Sequence, residues 1–230
     1  MCYGKPRDYR GAFSFRGVPM TYILYGETGS GAFCVEAALA EAGEPVEFRQ
    51  IKLDDNEQRS AEFRVLNPSG KIPALQLPEG EIVSETSALL ILLAERHPGA
   101  KLLPPPGAPA RPLALRWLAF MAAEVYPMVE IADYPERFAD DHKGAAFLKR
   151  RAQDRIRERM LSVEAAAAAP WFLAEGFSAL DLYAAMFSRW RECRIGGWRE
   201  DNLPRICAIA AALAQRPALQ PVWNKYFPNG

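Results

Sequence analysis

The pattern of hydrophobic and polar positions divides the chain into two parts. Between residues 20 and 98, short apolar runs typical of strands alternate with runs of helical period, and the predicted element order is β-α-β-α-β-β-α. After residue 112 only helical periods remain. The predicted fold class is therefore α/β plus all-α, with a first domain over residues 20–98 and a helical domain over residues 113–230.

Turn-forming residues bound the predicted elements of the first part. A buried strand over residues 21–25 leads into a glycine-rich loop over residues 26–31. The helix that follows, over residues 32–42, ends at Gly43, a residue type that favours helix C-termini. The other predicted elements are a strand at 46–53, a short helix within 54–66, a hairpin of strands 72–77 and 81–83, and a helix from Ser84 to Arg96.

Prolines mark the boundary between the two parts. Residues 99–112 are predicted to be a linker, because their many prolines fix φ and remove backbone donors. Residues 1–19 have no sustained period and are predicted to be an irregular N-terminal extension. Helices are predicted near residues 113–126, 144–169, 179–193, 204–215 and 218–225.

The composition excludes several classes of function. Lys plus Arg and Asp plus Glu number 28 each, so the net charge is zero and offers no basic surface to nucleic acid or to a membrane. No apolar run reaches the roughly 20 residues that a membrane helix needs. The four cysteines form no Cys-x-x-Cys pair and there are only two histidines, so no metal site is expected. Unpaired cysteines are typical of a reducing compartment, and we expect a cytoplasmic protein.

A first candidate binding motif is Asn67-Pro-Ser-Gly-Lys-Ile-Pro73-Ala-Leu, a turn that leads into a strand. Proline is tolerated at the start of a strand, where its missing N–H does no harm. An X-Pro bond in a tight turn can be cis. A cis bond between Ile72 and Pro73 would turn the backbone N–H and C=O of Ile72 outward, where they could pair with a peptide-like ligand.

A second candidate motif is Val83-Ser-Glu-Thr-Ser-Ala88, where a strand passes directly into a helix. A helix N-terminus presents unpaired N–H groups and a partial positive charge, which suit a carboxylate. Thr86 could add a hydroxyl, and Glu85 could accept from an α-amino group. The free end of an amino acid carries both groups, although Ser84 serving only as an N-cap is an equally good interpretation of this motif alone.

A third motif, in the helical part, is Ser178-Ala-Leu-Asp181. The two polar residues have the spacing of a capping box, with Asp at the position where Glu or Gln is preferred. We expect this motif to fix the start of a buried helix.

Taken in this order and spacing, the three motifs and the Pro-rich linker resemble the glutathione S-transferases, over about residues 20–228. The resemblance implies a thioredoxin-like N-terminal domain that binds glutathione as co-substrate, an all-helical C-terminal domain and a homodimer. It also implies roles for single residues. Ile72, before the cis-proline Pro73, would pair with the cysteinyl backbone of glutathione. Glu85 and Thr86 would hold its γ-glutamyl end, and Lys71 is a candidate for its glycyl side.

The family lowers the pKa of the glutathione thiol with a hydrogen-bond donor in the loop after the first strand or early in the next helix, and here that loop lacks the expected residue. Counting along the chain places the serine and cysteine positions of the family near Gly29 and Gly31. Ser30 lies between them and is the first candidate for catalysis, with Thr28 second. A backbone N–H of Ser30 or Gly31 is a third option, and both hydroxyls being ordinary loop residues is the alternative.

The second-substrate pocket is expected between the domains, where ligand clefts are common. Phe120 and Tyr126, on the first helix after the linker, are the residues expected to reach it. Cys34 lies one turn into the first helix, and a buried structural cysteine is a better interpretation than a redox residue.

The predicted function is a glutathione transferase that conjugates the glutathione thiolate to a small hydrophobic electrophile. One alternative is a glutathione-dependent disulfide reductase or peroxidase that needs no protein cysteine. Another is a non-enzymatic binding protein that has the same fold, because fold does not imply function.

Overall fold

A four-stranded mixed sheet forms the first part of the fold in the computed structural model, which describes residues 21–228. The extension predicted for residues 1–19 lies outside the described residues. The strands are β1 (Tyr22–Gly26), β2 (Val46–Gln50), β3 (Ala74–Gln76) and β4 (Ile82–Ser84), and the helices are α1 (Ala32–Ala42), α2 (Ala61–Leu66) and α3 (Thr86–Arg96).

The sheet order is β2-β1-β3-β4, with β1 parallel to β2 and antiparallel to β3. Because β1 and β2 are parallel, the chain must cross over between them, and α1 makes that crossing. Gly43 ends α1 in the left-handed conformation, with φ 73°. The predicted order β-α-β-α-β-β-α and the thioredoxin-like fold of this part are therefore confirmed.

Three predicted strands of the first part shift by one or two residues, and two other elements differ more. The strand predicted to reach residue 53 ends at Gln50, after which the chain turns away from the sheet edge. The polar segment 54–66 forms a 3₁₀ turn (Glu57–Arg59) and then α2. Ser60 separates the two with an extended backbone, and its hydroxyl accepts from the N–H of Phe63, so it caps α2.

The prediction that Ser84 opens the third helix is wrong. Ser84 pairs with Ala74 as the last residue of β4, and α3 begins at Thr86. Glu85 takes the cap position with φ 71° and ψ 107°, a conformation that residues with a side chain rarely adopt. The strand therefore turns into the helix at one residue, and this residue is Glu85.

Up to residue 228, the regular elements of the second part are helices, apart from one isolated β-bridge between Leu173 and Gly176. The helix predicted from residue 113 begins at Arg111, because Pro112 is tolerated in a first turn. None of the helices among residues 21–228 is long and apolar enough to cross a membrane. The helices are α4 (Arg111–Phe120), α5 (Tyr126–Asp133), α6 (His142–Ala166), α7 (Ala179–Ser188), α8 (Arg191–Arg194), α9 (Trp198–Asn202), α10 (Pro204–Ala214) and α11 (Gln220–Tyr226).

One hydrophobic core joins the two parts. The side chain of Phe33 on α1 packs edge-on against Trp223 and Phe227, with ring centroids 5.8 Å and 4.9 Å away. Polar contacts reinforce this junction, since Lys225 and Tyr226 both donate to the carboxylate of Glu36 at 2.8 Å. Helix α11 is thereby held against α1.

Candidate functional site

A cleft of about 570 Å³ lies between the sheet and the helical part, and both parts line it. The cleft brings together most of the residues that the sequence singled out: Thr28, Ser30, Lys71, Ile72, Pro73, Glu85, Thr86 and Tyr126. Phe120 does not line it, and its ring packs edge-on against Trp117 at 5.0 Å. Of the two residues expected in the second-substrate pocket, the structure therefore brings only Tyr126 to the cleft.

The turn before β3 has the geometry that the first motif predicts. The peptide bond between Ile72 and Pro73 is cis. The buried side chain of Asn67 supports the turn, because its Nδ2 donates to the carbonyl of Lys71 at 2.7 Å and its Oδ1 accepts from Ser69. The ladder between β3 and β1 starts only at Ala74, so Ile72 lies beyond the sheet and at the wall of the cleft.

The start of α3 forms the neighbouring wall. Glu85 has an unfavourable backbone conformation, and residues held in such conformations concentrate at ligand sites. Its side chain makes no capping hydrogen bond to the helix, so capping does not explain its presence. Thr86 is 5% exposed and is the first residue of α3. These features favour a ligand site over a simple helix cap at this motif.

The loop before α1 holds the two hydroxyls predicted to act in catalysis. The hydroxyl of Ser30 donates to the carbonyl of Glu27 at 2.6 Å and accepts from the N–H of Ala32 at 3.2 Å. Its single hydrogen is therefore used within the loop. Thr28 is exposed at the mouth of the cleft. The catalytic role of both residues stays a prediction.

Gly31, at the end of this loop, is in close contact with Tyr126. Gly31 has φ −61° and ψ −10°, which is an ordinary helical conformation that needs no glycine. A Cβ atom added here would collide with the hydroxyl oxygen of Tyr126, and it would lie 3.0 Å from Thr86 Oγ1 and 3.3 Å from Pro73 Cδ. A glycine is thus needed at this position because neighbouring atoms fill the room for a side chain, and not because of its backbone conformation.

The orientation of Tyr126 comes from a local change of helix type. Residues Met121–Val125 form a π-helical turn between α4 and α5, and the N–H of Tyr126 donates to the carbonyl of Met121. Pro127 follows, and its lack of an N–H interrupts the ordinary ladder. Such turns often occur at functional sites. Pro127 marks this change of helix type in the sequence, but no local pattern links it to Gly31.

Aromatic packing holds the Tyr126 ring in place. Its centroid lies 5.1 Å from that of Phe187 and 5.4 Å from that of Trp190, both near edge-on. Burial raises the pKa of Tyr126 well above its ordinary value. The phenol is therefore neutral at physiological pH and carries a hydrogen that it can donate.

Three polar atoms in the cleft wall are buried without a hydrogen-bond partner among residues 21–228. They are Gln58 Oε1, Tyr126 Oη and Trp190 Nε1. Buried polar atoms are nearly always paired, and an unpaired atom in a native fold calls for an explanation. Because the three residues line one cleft, a polar ligand that reaches these atoms is a direct explanation. The sequence patterns did not identify Gln58 or Trp190, since neither belongs to a recognisable motif.

Charged side chains line the outer part of the cleft, on the α5 side. Lys71 Nζ lies 2.7 Å from Glu130 Oε2, and Arg137 lies 3.7 Å from the other carboxylate oxygen of Glu130. Burial raises the pKa of Asp133, and the nearby Glu192 adds to the effect. This wall is more polar than a pocket for a purely hydrophobic substrate would be.

Cys34 lies behind the cleft and is not part of it. Its side chain is fully buried, and its Sγ lies 3.5 Å from Met186 Sδ. Burial raises the pKa of the Cys34 thiol well above its ordinary value. The expected burial of Cys34 is confirmed, and its structural role stays a prediction. Within residues 21–228, no group of three or more His, Cys, Asp and Glu side chains is arranged to hold a metal ion.

Comparisons with known proteins agree with this geometry. A family model described as glutathione S-transferase, N-terminal domain, matches residues 20–95. The uncharacterized GST-like protein YncG of Escherichia coli (strain K12) is 33% identical over 204 residues, 88% of this chain and 97% of YncG. Glutathione S-transferase GstA of Escherichia coli O157:H7 is 24% identical over 86% of this chain and 94% of GstA. A Sulfitobacter glutathione transferase homologue with bound glutathione has a TM-score of 0.82 at 24% identity, covering 90% of this chain and 98% of its own.

Proposed function

The chain belongs to the glutathione S-transferase family, and on this premise we propose that it binds glutathione in the cleft and transfers it to an electrophile. The observation that carries the proposal is that two neighbouring walls of the cleft, the turn before β3 and the start of α3, each suit a different part of one ligand. The cis turn at Ile72 offers backbone groups to a peptide, and the start of α3 at Glu85 and Thr86 offers groups to the end of an amino acid. Glutathione carries both features.

The residues of the two walls then have complementary roles. The α-carboxylate of the γ-glutamyl end accepts from the N-terminus of α3 and from Thr86, and Glu85 accepts from the α-amino group. The N–H and C=O of Ile72 pair with the cysteinyl backbone. Lys71 binds the glycyl carboxylate, which requires it to exchange the carboxylate of Glu130 for that of the ligand.

The chemistry is a nucleophilic substitution by sulfur. The thiol of glutathione releases its proton to solvent, and the thiolate attacks the electrophilic carbon while the leaving group departs with its electron pair. A hydrogen-bond donor in the cleft favours the thiolate over the thiol. Ser30, Thr28 and the N–H groups of the loop are the donors that the family pattern favours.

The first test is calorimetric titration of glutathione into the protein and its Glu85→Gln variant. We expect the substitution to weaken binding about 10-fold, because a charge-assisted hydrogen bond contributes about 1.5–3 kcal/mol. Glu81→Gln is the matched control, since Glu81 is exposed on the neighbouring hairpin and outside the cleft. A protein that binds no glutathione at millimolar concentration would contradict the proposal.

The charged outer cleft favours a second candidate, the glutathione-dependent reduction of a disulfide. One glutathione thiolate attacks the disulfide and releases a thiol, and a second glutathione resolves the mixed disulfide, so that oxidised glutathione and two thiols result. Turnover of 2-hydroxyethyl disulfide, compared with that of an aryl halide, separates the candidates. No turnover of either substrate despite glutathione binding would favour a binding protein.

Family membership also supports a homodimer as the functional unit, with the cleft near the interface between subunits. Sedimentation equilibrium tests this proposal directly. A mass equal to the 25.6 kDa of one chain at micromolar concentration would contradict it.

A further inference from the structure

We propose that Tyr126 is a catalytic residue, and that its hydroxyl donates the hydrogen bond that stabilises the glutathione thiolate. The helical domain would then supply the group that the loop before α1 lacks. This inference rests on the proposed function, because it requires that glutathione binds in the cleft. It replaces the second-substrate role predicted for Tyr126 with a role at the sulfur.

The contact with Gly31 places the hydroxyl of Tyr126 in the part of the cleft where a donor to the glutathione sulfur is expected. Position 31 is the residue before α1, beside the cis-proline Pro73 and the buried Thr86. A side chain there would point between the two walls that hold the peptide backbone and the γ-glutamyl end. The hydroxyl of Tyr126 fills the volume that such a side chain would take. It therefore stands where a local donor from the loop would stand.

The hydroxyl is also free to donate. Its oxygen is buried and has no hydrogen-bond partner of good geometry among residues 21–228. Burial raises the pKa of Tyr126, whereas the neighbouring Thr86 hydroxyl lowers it, as a donor to the phenol oxygen does, and the phenol hydrogen is left without an acceptor. A buried phenol without a partner costs free energy unless a ligand supplies the acceptor. The raised pKa keeps its hydrogen in place, so it acts as a donor and not as a base.

The hydroxyls of the loop are less suited to this role. Ser30 already gives its only hydrogen to the carbonyl of Glu27. Thr28 is exposed to solvent, where a hydrogen bond contributes less than in a buried site. Of the hydroxyls of Thr28, Ser30 and Tyr126, that of Tyr126 is both buried and unpaired.

The reaction balances with Tyr126 neutral throughout. The thiol proton passes to solvent as glutathione binds, and the phenol donates its hydrogen bond to the resulting thiolate. With an aryl halide, a sulfur lone pair forms the C–S bond and the carbon–halogen bond breaks, its electron pair leaving with the halide. Tyr126 keeps its proton at every step.

The test uses Tyr126→Phe, which removes one oxygen and keeps the ring that packs against Phe187 and Trp190. The ultraviolet absorbance of bound thiolate is followed against pH, together with the affinity for glutathione and turnover of 1-chloro-2,4-dinitrobenzene. We expect the pKa of the bound thiol to rise by at least about one unit towards the free value near 8.5, and kcat at pH 7 to fall about 10- to 100-fold. Affinity should change less than about 3-fold, because few contacts to the ligand are lost.

The pH profile separates a role at the sulfur from a structural role. If Tyr126 acts on the thiolate, the turnover of Tyr126→Phe should approach that of the wild type near pH 9–10, where the thiol ionises unaided. The wild type should show one ascending limb up to that range, because Tyr126 does not titrate within it. A loss that is equal at every pH would overturn the inference.

Two control variants accompany Tyr126→Phe. One is far from the cleft and the other is in the loop before α1. Tyr22→Phe makes the same chemical change far from the cleft, where the hydroxyl pairs with His97, and should leave the thiol pKa unchanged. Ser30→Ala tests the competing donor. A shift of the thiol pKa in Ser30→Ala and none in Tyr126→Phe would overturn the inference and leave the proposed function intact.

A second variant covers the case in which Tyr126→Phe is unstable. Gly31→Ala keeps Tyr126 but displaces its hydroxyl, so it should raise the thiol pKa in the same direction. An unchanged thiol pKa in Gly31→Ala would contradict the inference. A wild-type protein that binds no glutathione would refute the proposed function itself.

Discussion

Gly31 and Tyr126 constrain each other directly. The backbone of Gly31 has an ordinary helical conformation, and only the hydroxyl of Tyr126, with Thr86 and Pro73 behind it, excludes a larger residue. Gly29, two residues earlier, is the opposite case, because its φ of 85° favours glycine although nothing lies within 4 Å of an added Cβ. Two glycines of one loop are therefore required for different physical reasons.

This difference predicts the outcome of a double-mutant cycle. Gly31→Ala should lower the free energy of unfolding by about 1–3 kcal/mol, since it overpacks a filled site. The cost should be smaller in the Tyr126→Phe background, where the colliding oxygen is absent. Urea unfolding of the four proteins measures both values.

Gly29→Ala serves as the control for this cycle. It should cost about 1 kcal/mol, the expense of a side chain at positive φ, and the cost should be the same in both backgrounds. An equal cost of Gly31→Ala with and without the Tyr126 hydroxyl would show that the two residues are not in contact.

Among the secondary-structure elements, α7 has the best-defined start. The carboxylate of Asp181 accepts from the N–H of Ser178 at 2.6 Å, from its hydroxyl at 3.2 Å and from the N–H of Phe172 at 2.5 Å. The predicted capping box is confirmed, and Asp suffices in place of Glu because the carboxylate is close to the cap and also reaches the preceding loop. Tyr183, two residues further along α7, packs beside Tyr126.

Substitution of Asp181 should therefore weaken the fold without touching the cleft. In Asp181→Asn one carboxylate oxygen becomes an NH₂ group, which cannot accept from Phe172 or Ser178. We expect a loss of about 1–3 kcal/mol in the free energy of unfolding, the cost of leaving a buried donor unpaired. Urea denaturation at pH 7 measures it, with Asp140→Asn, at an exposed position before α6, as control. Equal stability of the two variants would contradict the role given to Asp181.

In the molecule as a whole, the larger of the two hydrophobic clusters in residues 21–228 is a core that both parts share. Besides the packing of Phe33, the carboxylate of Glu41 on α1 accepts from Arg216 Nε at 2.7 Å, and Arg216 also lies over the ring of Phe177. The cleft between the two parts stays open beside this shared core. A shared core and an open cleft together predict a molecule that unfolds as one unit and is stabilised by a ligand.

Two probes can test whether the parts unfold together. Every tryptophan lies in the helical part, so tryptophan fluorescence reports on that part alone. The buried Cys34 reports on the first part, through its labelling followed by peptide mass spectrometry. We expect the two urea midpoints to coincide, because each part buries apolar surface on the other. Labelling of Cys34 at clearly lower urea would contradict a shared core.

Glutathione should shift both midpoints by the same amount. A ligand that binds only the native state adds about 2.7 kcal/mol at 100 times its dissociation constant. The tripeptide γ-Glu-Ala-Gly, which lacks the sulfur, is a suitable comparison for separating the peptide contacts from those of the thiolate.

The local elements could be predicted closely where a short-range signal exists. The bounds of α1 follow from its helical period and from Gly43, and the motif around Ile72-Pro73 marked the turn where a cis bond was possible. Prediction failed where one residue has two possible local roles. Ser84 is a good helix cap by type, yet its pairing with Ala74 keeps it in β4, because strand pairing outweighs a single cap.

The amino-acid sequence by itself determined the fold class, the family and the two walls of the cleft. Periodicity, caps and prolines act within a few residues, so they can be interpreted without the fold. Only the tertiary structure decided what fills the space beside Gly31. The contact between Gly31 and Tyr126 joins residues far apart in the chain, and no local pattern encodes such a distance. For the same reason, only the tertiary structure revealed the ion pair between Lys71 and Glu130 and the unpaired buried polar atoms of the residues that line the cleft.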